Sequence, residues 1–145
     1  MNKTTLILIV VVTAFSLPAL AQDSSEPWTQ DQLISPEKLS TVITDSFSTK
    51  PLIIDVGPAG LIKGAVEIGP TSTKENLQKL EQLLASQKKD REIVLYCGCC
   101  PYKKCPNIRP AFQLASTMNF KNLKLLFLPE NLKVNWINHG YPMEH

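Results

Sequence analysis

The sequence predicts an α/β domain with a mostly parallel central sheet and helices on both of its faces. Predominantly apolar segments at residues 52–56, 93–96 and 123–128 alternate with segments that have helical periodicity. Strands covered on both faces carry continuous apolar runs, and parallel strands need helical crossovers between them. Because no internal repeat or linker divides the chain, we expect a single domain.

The first residues have the pattern of a secretory leader. Lys3 precedes the apolar run 6–17, and the triplet 19–21, Ala-Leu-Ala, is the small-x-small pattern that a signal peptidase cleaves. The run is too short to span a bilayer, so we expect no stable membrane insertion after cleavage. We therefore expect an exported protein, either periplasmic or extracellular. The predicted parts are a signal peptide (1–21), a polar tether (22–32) and one domain (33–145).

Composition and charge exclude several classes of protein. The chain has 145 residues, 43% of them hydrophobic, and 15 Lys and Arg against 13 Asp and Glu. That hydrophobic share is typical of a globular protein rather than a disordered one. The near balance of charge disfavours a nucleic-acid partner. The 124 residues that remain after the leader suit one domain of ordinary size.

The elements follow in order along the chain. Ser35 before Pro36 predicts a helix start, with a cap residue and proline in the first turn. A strand over 52–56 leads through a Gly-Pro turn to a second short strand over 65–68. Later helices are predicted over 73–86, from about Pro110, and after Pro129. Their inward residues are Leu77, Leu80 and Leu84, then Ala111, Leu114, Ala115 and Met118, then Leu132, Trp136 and Ile137.

All four cysteines lie within nine residues, in the loop that follows the strand 93–96. They are Cys97, Cys99, Cys100 and Cys105. Cysteines so close in sequence cannot join distant segments, so they serve local chemistry, a local metal site or a local loop closure. In open α/β sheets ligands bind at the carboxyl ends of the strands, and this loop begins at such an end.

The charges of the loop predict a reactive thiolate at Cys97. Lys103, Lys104 and Arg109 are cations, and the loop contains no acid. A helix that starts near Pro110 points its free N–H groups and its positive dipole end toward the loop. Each effect favours the thiolate, which is the reactive form of cysteine.

Four motifs in order resemble the rhodanese-type sulfurtransferases. The first two are the strand Ile53-Ile54-Asp55-Val56 and the turn Gly60-Leu61-Ile62-Lys63-Gly64-Ala65. The third is the strand that ends at Cys97, followed by a loop closed by Arg109 and then a helix. The fourth is the ending Gly140-Tyr141-Pro142. The resemblance covers about residues 33–143 and implies a single rhodanese-like domain.

The resemblance also implies an activity and a set of site residues. Cys97 matches the nucleophile that accepts a sulfane sulfur from a donor such as thiosulfate and passes it, as a persulfide, to a thiophilic acceptor. Arg109 matches the arginine that holds the loop or the charge of the substrate, and Asp55 matches an aspartate that supports the fold. The implied substrate-binding loop comprises Gly98, Cys99, Cys100, Tyr102, Lys103, Lys104 and Cys105. The implied partners are a small sulfur-containing anion or a thiol, and neither a metal nor an organic cofactor is needed.

The loop differs from the family pattern and leaves other interpretations open. Eleven residues separate Cys97 from Arg109, where the family has four. Cys97 and Cys100 form a C-x-x-C pair, which is typical of thiol–disulfide proteins and would involve a redox partner protein. Four thiolates could instead hold Zn²⁺, Cu(I) or an iron–sulfur cluster. A disulfide from Cys105 to Cys99 or Cys100 would simply close the loop.

Overall fold

The computed structural model describes residues 26–144, which form a five-stranded sheet flanked by four α-helices. The predicted signal peptide lies outside the described residues. None of the helices within 26–144 has the length and hydropathy that a membrane span requires. The strands are β1 (Leu33–Ile34), β2 (Leu52–Asp55), β3 (Val66–Glu67), β4 (Glu92–Tyr96) and β5 (Asn122–Leu126), and the helices are α1 (Pro36–Thr44), α2 (Lys74–Ala85), α3 (Ile108–Thr117) and α4 (Leu132–Asn135).

The sheet confirms the predicted fold class. The strand order is β1-β5-β4-β2-β3, and every pairing of these strands is parallel. Alternate residues of β4 point into two hydrophobic cores. Ile93 and Leu95 join the core formed with α2 and α3, whereas Val94 and Tyr96 join the core formed with α1 and α4. Because both faces of the strand are buried, its sequence is apolar without alternation.

The first two long helices begin where the sequence predicts. The Ser35 side chain accepts a hydrogen bond from the Lys38 N–H at 3.2 Å, and Pro36 occupies the first helical position. The Thr73 hydroxyl caps α2 by accepting from the Asn76 N–H at 3.3 Å. Each cap satisfies a backbone donor that the helix itself leaves without a partner.

The last predicted helix is interrupted at Trp136. Its φ and ψ of −129° and −62° end α4, and a short 3₁₀ turn follows over Ile137–His139. The Trp136 ring is fully buried, as the sequence predicts, and its Nε1 donates to the carbonyl of Pro142 at 3.2 Å. The expectation that Ile137 faces inward is wrong, because this break turns its side chain out to 45% exposure.

The N-terminal segment packs on the domain from its first described residues. Trp28 is buried, with its ring 5.6 Å from that of Phe112 and 5.8 Å from that of Tyr102. Glu26 forms an ion pair with Arg109. β1 follows as an edge strand beside β5. A strand of two residues is too short to show a hydrophobic pattern in the sequence, and so it was not predicted.

Asp55 is a buried carboxyl group at the carboxyl end of β2. One of its oxygens accepts a hydrogen bond from the Gly57 N–H at 2.9 Å, which holds the turn after the strand. The pKa of Asp55 is raised from 3.8 to about 7, mainly because the carboxyl group is buried. The hydrogen bond from the Gly57 N–H lowers this pKa, and the negative charge of nearby Glu67 raises it. Asp55 thus holds the turn after β2, and its burial makes its ionisation unfavourable.

We expect the Asp55→Asn variant to lose part of the pH dependence of stability. The raised pKa means that the Asp55 contribution is present below about pH 4 and is lost as the pH rises to about 7. Asparagine keeps the acceptor and stays neutral. We therefore expect the unfolding free energy of Asp55→Asn, measured by urea unfolding, to fall less between about pH 4 and pH 8 than that of the wild type. An unchanged slope would contradict this assignment, and Glu81→Gln, at an exposed acid of α2, is the control.

Candidate active site

Cys97 lies at the carboxyl end of the central strand and is only 2% exposed. The preceding residue, Tyr96, anchors the neighbouring turn: its hydroxyl donates to the carbonyl of Gly60 and accepts from the Ile62 N–H at 3.0 Å. The Val56 N–H in turn donates to the Tyr96 carbonyl at 2.8 Å. The end of β4 is therefore held from two sides before the cysteine loop begins.

Two glycines allow the backbone to close around Cys97. A Cβ on Gly57 would lie 2.3 Å from the Cys97 Sγ and 2.6 Å from its carbonyl oxygen, so a side chain is excluded there. Gly98 has a φ of +75°, and a Cβ on it would lie 2.8 Å from Leu132. Only glycine combines that φ with such close contact at low cost. Position 57 therefore holds glycine for a steric reason.

The turn at Gly98 brings three sulfur atoms together. The Sγ atoms of Cys97 and Cys99 are 3.2 Å apart, and those of Cys97, Cys99 and Cys105 all lie within 4.8 Å of one another. Cys100 lies beside this cluster, with its Sγ 3.4 Å from that of Cys99. All four cysteines lie in the described part of the chain, and all are free thiols, so the alternative of a loop-closing disulfide is not seen.

Asn107 is the polar side chain that faces the Cys97 sulfur. Its Nδ2 donates to the Cys97 Sγ at 3.3 Å, and its Oδ1 accepts from the Ser72 N–H at 3.0 Å. Because a backbone N–H can only donate, the Ser72 contact sets which end of the amide faces the sulfur. The Thr71 hydroxyl donates to the Asn107 carbonyl at 2.6 Å. Asn107 is therefore held in place by the segment that follows β3.

Sequence reasoning missed Asn107 for an identifiable reason. An asparagine directly before a helix is the usual cap residue, and Asn107 does precede α3. Its side chain makes no cap hydrogen bond, because both ends of the amide are engaged with Ser72 and Cys97. The signal of this role lies only in contacts between segments far apart in the chain.

The expected electropositive activation of Cys97 is wrong. The neighbouring Cys105 thiol and burial raise the pKa of Cys97 well above its usual range, while the Cys99 N–H and the Asn107 amide oppose them. Burial disfavours a charged sulfur, and Lys103 and Lys104 are exposed to water. The structure thus presents Cys97 as a thiol that must lose a proton before it reacts.

Arg109 has a partner that the loop sequence does not contain. Its guanidinium binds the Glu26 carboxylate at 2.7 Å and lies over the Trp28 ring, with its carbon 5.6 Å from the ring centroid. Glu26 belongs to the segment predicted as a tether, so an acid from outside the loop neutralises one of the three cations of the loop. The predicted catalytic role of Arg109 stays a prediction.

The long loop is anchored by buried residues rather than left open. The Tyr102 ring is buried between those of Trp28 and Phe127, and the Tyr102 N–H donates to the Leu128 carbonyl at 3.1 Å. The Gly98 carbonyl accepts from the Leu132 N–H at 2.9 Å. Cys105, at 1% exposure, packs in the same core as Cys97. The insertion therefore folds back and places Cys105 beside the strand end.

The same cluster is a donor set that soft metal ions prefer. The thiols of Cys97, Cys99 and Cys105 would have to lose their protons to bind such an ion as thiolates. The sequence-based alternative of a metal site thus has three sulfur atoms at suitable separations, and it needs no contribution from adjacent Cys100. The predicted redox pair Cys97 and Cys100 differs from the observed contact, which joins Cys97 to Cys99.

Comparisons with known proteins identify the fold but no family. No family model matches the sequence, and no curated protein sequence matches it. Among solved structures, EanB in two complexes with hercynine matches with a TM-score of 0.55 at 19% identity over 79% of this chain. The single-domain sulfurtransferase RDL2 of Saccharomyces cerevisiae matches with a TM-score of 0.52 at 15% identity, over 75% of this chain and 90% of that protein.

The fold is rhodanese-like. The likeness to RDL2 and the parallel five-stranded sheet agree with the fold that the sequence motifs imply. The matched part covers 27% of the EanB chain, so this chain spans about a quarter of the length of that protein. Within this rhodanese-like domain, Cys97 occupies the strand end at which the sequence places the nucleophile.

The Gly57→Ala variant tests the close contact with Cys97. A methyl group 2.3 Å from the Cys97 Sγ must displace the strand end, so we expect a loss of about 1–3 kcal/mol in unfolding free energy. Gly60→Ala is the control, since its Cβ would meet only Met143 at 3.5 Å, an ordinary contact. Thermal and urea unfolding of both variants gives the comparison. Equal stability of the two would show that the backbone relaxes without cost.

The reactivity of Cys97 tests the raised pKa and the role of Asn107. We expect its alkylation by iodoacetamide, mapped by mass spectrometry, to accelerate with pH without a plateau up to about pH 9. Asn107→Ala removes a donor to the sulfur and should slow the reaction about two- to tenfold, as one hydrogen bond implies. Ser72→Ala keeps its N–H and is the matched control. A plateau near neutral pH would contradict the raised pKa.

Proposed function

We propose that this protein is a sulfurtransferase that moves a sulfane sulfur from a donor such as thiosulfate, through a persulfide on Cys97, to a thiophilic acceptor. One observation carries the proposal. Cys97 lies at the carboxyl end of the central strand of a rhodanese-like sheet, with the Asn107 Nδ2 directed at its sulfur. The similar structure of a yeast single-domain sulfurtransferase supports the same activity.

The chemistry has two displacement steps. The Cys97 thiol first gives its proton to solvent, and the thiolate then attacks the outer sulfur of thiosulfate. The sulfur–sulfur bond of the donor breaks, sulfite leaves with the electron pair, and Cys97 becomes a persulfide. A thiol or cyanide then attacks the outer sulfur, and Cys97 leaves as the thiolate. No oxidant or reductant is consumed in either step.

The site supports this chemistry through its hydrogen-bond donors. The Asn107 amide and the Cys99 N–H both stabilise negative charge on the Cys97 sulfur, as their effects on its pKa indicate. Donors that are already in place when charge develops need no reorganisation during the reaction. Burial and Cys105 oppose the thiolate, so we expect slow loading at neutral pH and faster loading in mildly alkaline buffer.

We also propose that the protein acts after export. The leader pattern of residues 1–21 supports this location, and the near balance of charge over the whole chain supports small molecules as partners rather than nucleic acid. An acceptor thiol from a small molecule or from a redox partner protein would meet the requirement for a thiophilic group.

Sulfur uptake is the direct test of the proposal. Incubation of the reduced protein with thiosulfate should add the mass of one sulfur atom, and cyanide should then remove it as thiocyanate. Cys97→Ser should take up no sulfur and form thiocyanate only at the background rate, because serine cannot hold a persulfide. Intact-mass measurement and the colorimetric thiocyanate assay provide the two readouts.

Other outcomes would point to other functions. Activity retained in Cys97→Ser but lost in Cys105→Ser would assign the nucleophile to Cys105. Loss of two hydrogens per cysteine pair on air oxidation, without sulfur uptake, would indicate a thiol–disulfide protein. One metal ion per chain in native mass spectra, with no sulfur uptake, would indicate a metal site.

A further inference from the structure

The sulfur atoms of the cluster differ sharply in their access to solvent. Cys97 is 2% exposed and Cys105 is 1% exposed, whereas Cys99 is exposed to solvent. The persulfide proposed above would form on the buried Cys97. A thiol acceptor as large as a peptide meets the exposed Cys99 first.

The exposed sulfur of Cys99 also lies in contact with the buried sulfur of Cys97. The Sγ atoms of Cys97 and Cys99 are 3.2 Å apart, whereas side chains two residues apart on an extended strand are separated by about 6–7 Å. The positive φ of Gly98 bends the chain between them and closes this gap. An outer sulfur bonded to the Cys97 Sγ lies about 2 Å from it, and therefore within about 5 Å of the Cys99 Sγ.

We propose that the sulfane sulfur passes from Cys97 to Cys99 and leaves the protein from Cys99, the residue that delivers it to thiol acceptors. This inference rests on the proposed sulfurtransferase function and adds a second catalytic residue to it. The transfer is a relay within one loop, from a buried loading position to an exposed delivery position.

The relay step balances without an added reactant. The Cys99 sulfur loses its proton and attacks the outer sulfur of the Cys97 persulfide. A bond forms between that outer sulfur and the Cys99 Sγ, while the bond to the Cys97 Sγ breaks. Cys97 leaves with the electron pair and takes up the proton that Cys99 released. The protein is neither oxidised nor reduced, since the persulfide has only changed its residue.

Solvation gives the relay its direction. A persulfide on Cys99 carries its negative charge at the surface, where water stabilises it, whereas the same charge on Cys97 is confined by burial. The vacated Cys97 returns as a neutral thiol to the pocket that Gly57 and Cys105 close. The neutral form is the one that a buried position favours.

Site mapping of the persulfide tests the relay. The protein is loaded with thiosulfate, alkylated with iodoacetamide and digested with trypsin, and fragment ions of peptide 92–103 locate the extra sulfur. In the wild type we expect the sulfur on Cys99. In Cys99→Ser we expect it on Cys97, with transfer to glutathione reduced about tenfold or more and transfer to the much smaller cyanide reduced by less than about threefold.

A matched variant separates the relay from a general effect of the loop. Cys100 has its Sγ 3.4 Å from that of Cys99, so Cys100→Ser removes a neighbouring thiol of the same size. In Cys100→Ser we expect the extra sulfur still on Cys99. If Cys100→Ser lost as much glutathione transfer as Cys99→Ser, the proposal would be overturned, because the loss would then not be specific to Cys99.

The remaining outcomes distinguish this inference from the proposed function. Sulfur found on Cys97 in the wild type, with normal glutathione transfer by Cys99→Ser, overturns the relay and leaves the sulfurtransferase proposal standing. A Cys97–Cys99 disulfide with release of hydrosulfide also overturns it, because attack has then occurred at the inner sulfur. No sulfur uptake by the wild type overturns the proposed function and the relay together.

Discussion

The close approach of the Gly57 backbone to Cys97 is the constraint on which the site depends. β2 and β4 are adjacent parallel strands, so the turn after β2 must pass directly over the residue that ends β4. A side chain at Gly57 would overlap the Cys97 sulfur, and its absence lets the turn cover the sulfur with backbone. The burial of Cys97 follows from this packing, and the Cys105 thiol together with this burial raises the pKa of Cys97.

The burial of the Cys97 sulfur beneath the Gly57 turn has a chemical consequence. A thiol sealed beneath a turn is protected, but it is also harder to ionise and harder to reach. Asn107 compensates in part, because the Ser72 N–H holds its amide oxygen and leaves the amide nitrogen to donate to the sulfur. The Gly98 bend compensates in another way, since it brings the exposed Cys99 into contact with the buried sulfur. The eleven-residue loop thus places the exposed Cys99 sulfur in contact with the buried Cys97 sulfur.

The hydrophobic pattern of the chain was enough to predict most of the fold. β2, β4 and β5 are predominantly apolar, and α1 and α2 each follow a residue whose side chain caps the helix. Such signals depend only on residues close in sequence, so they can be recognised without the tertiary structure. The edge strand β1 cannot be recognised in the sequence, because a strand of two residues shows no periodicity. The break at Trp136 cannot be recognised either, because it follows from how the Trp136 ring fills the core.

The sequence by itself determined the fold class, the position of Cys97 at a strand end and the grouping of four cysteines in one loop. Only the tertiary structure decided which charges and donors surround that sulfur. Glu26 and Asn107 acquire their roles through contacts with Arg109 and Cys97, respectively. The Arg109–Glu26 pair joins residues 83 positions apart. Hydrophobic periodicity is a property of neighbouring residues, whereas the ionisation of a buried thiol depends on every segment folded against it.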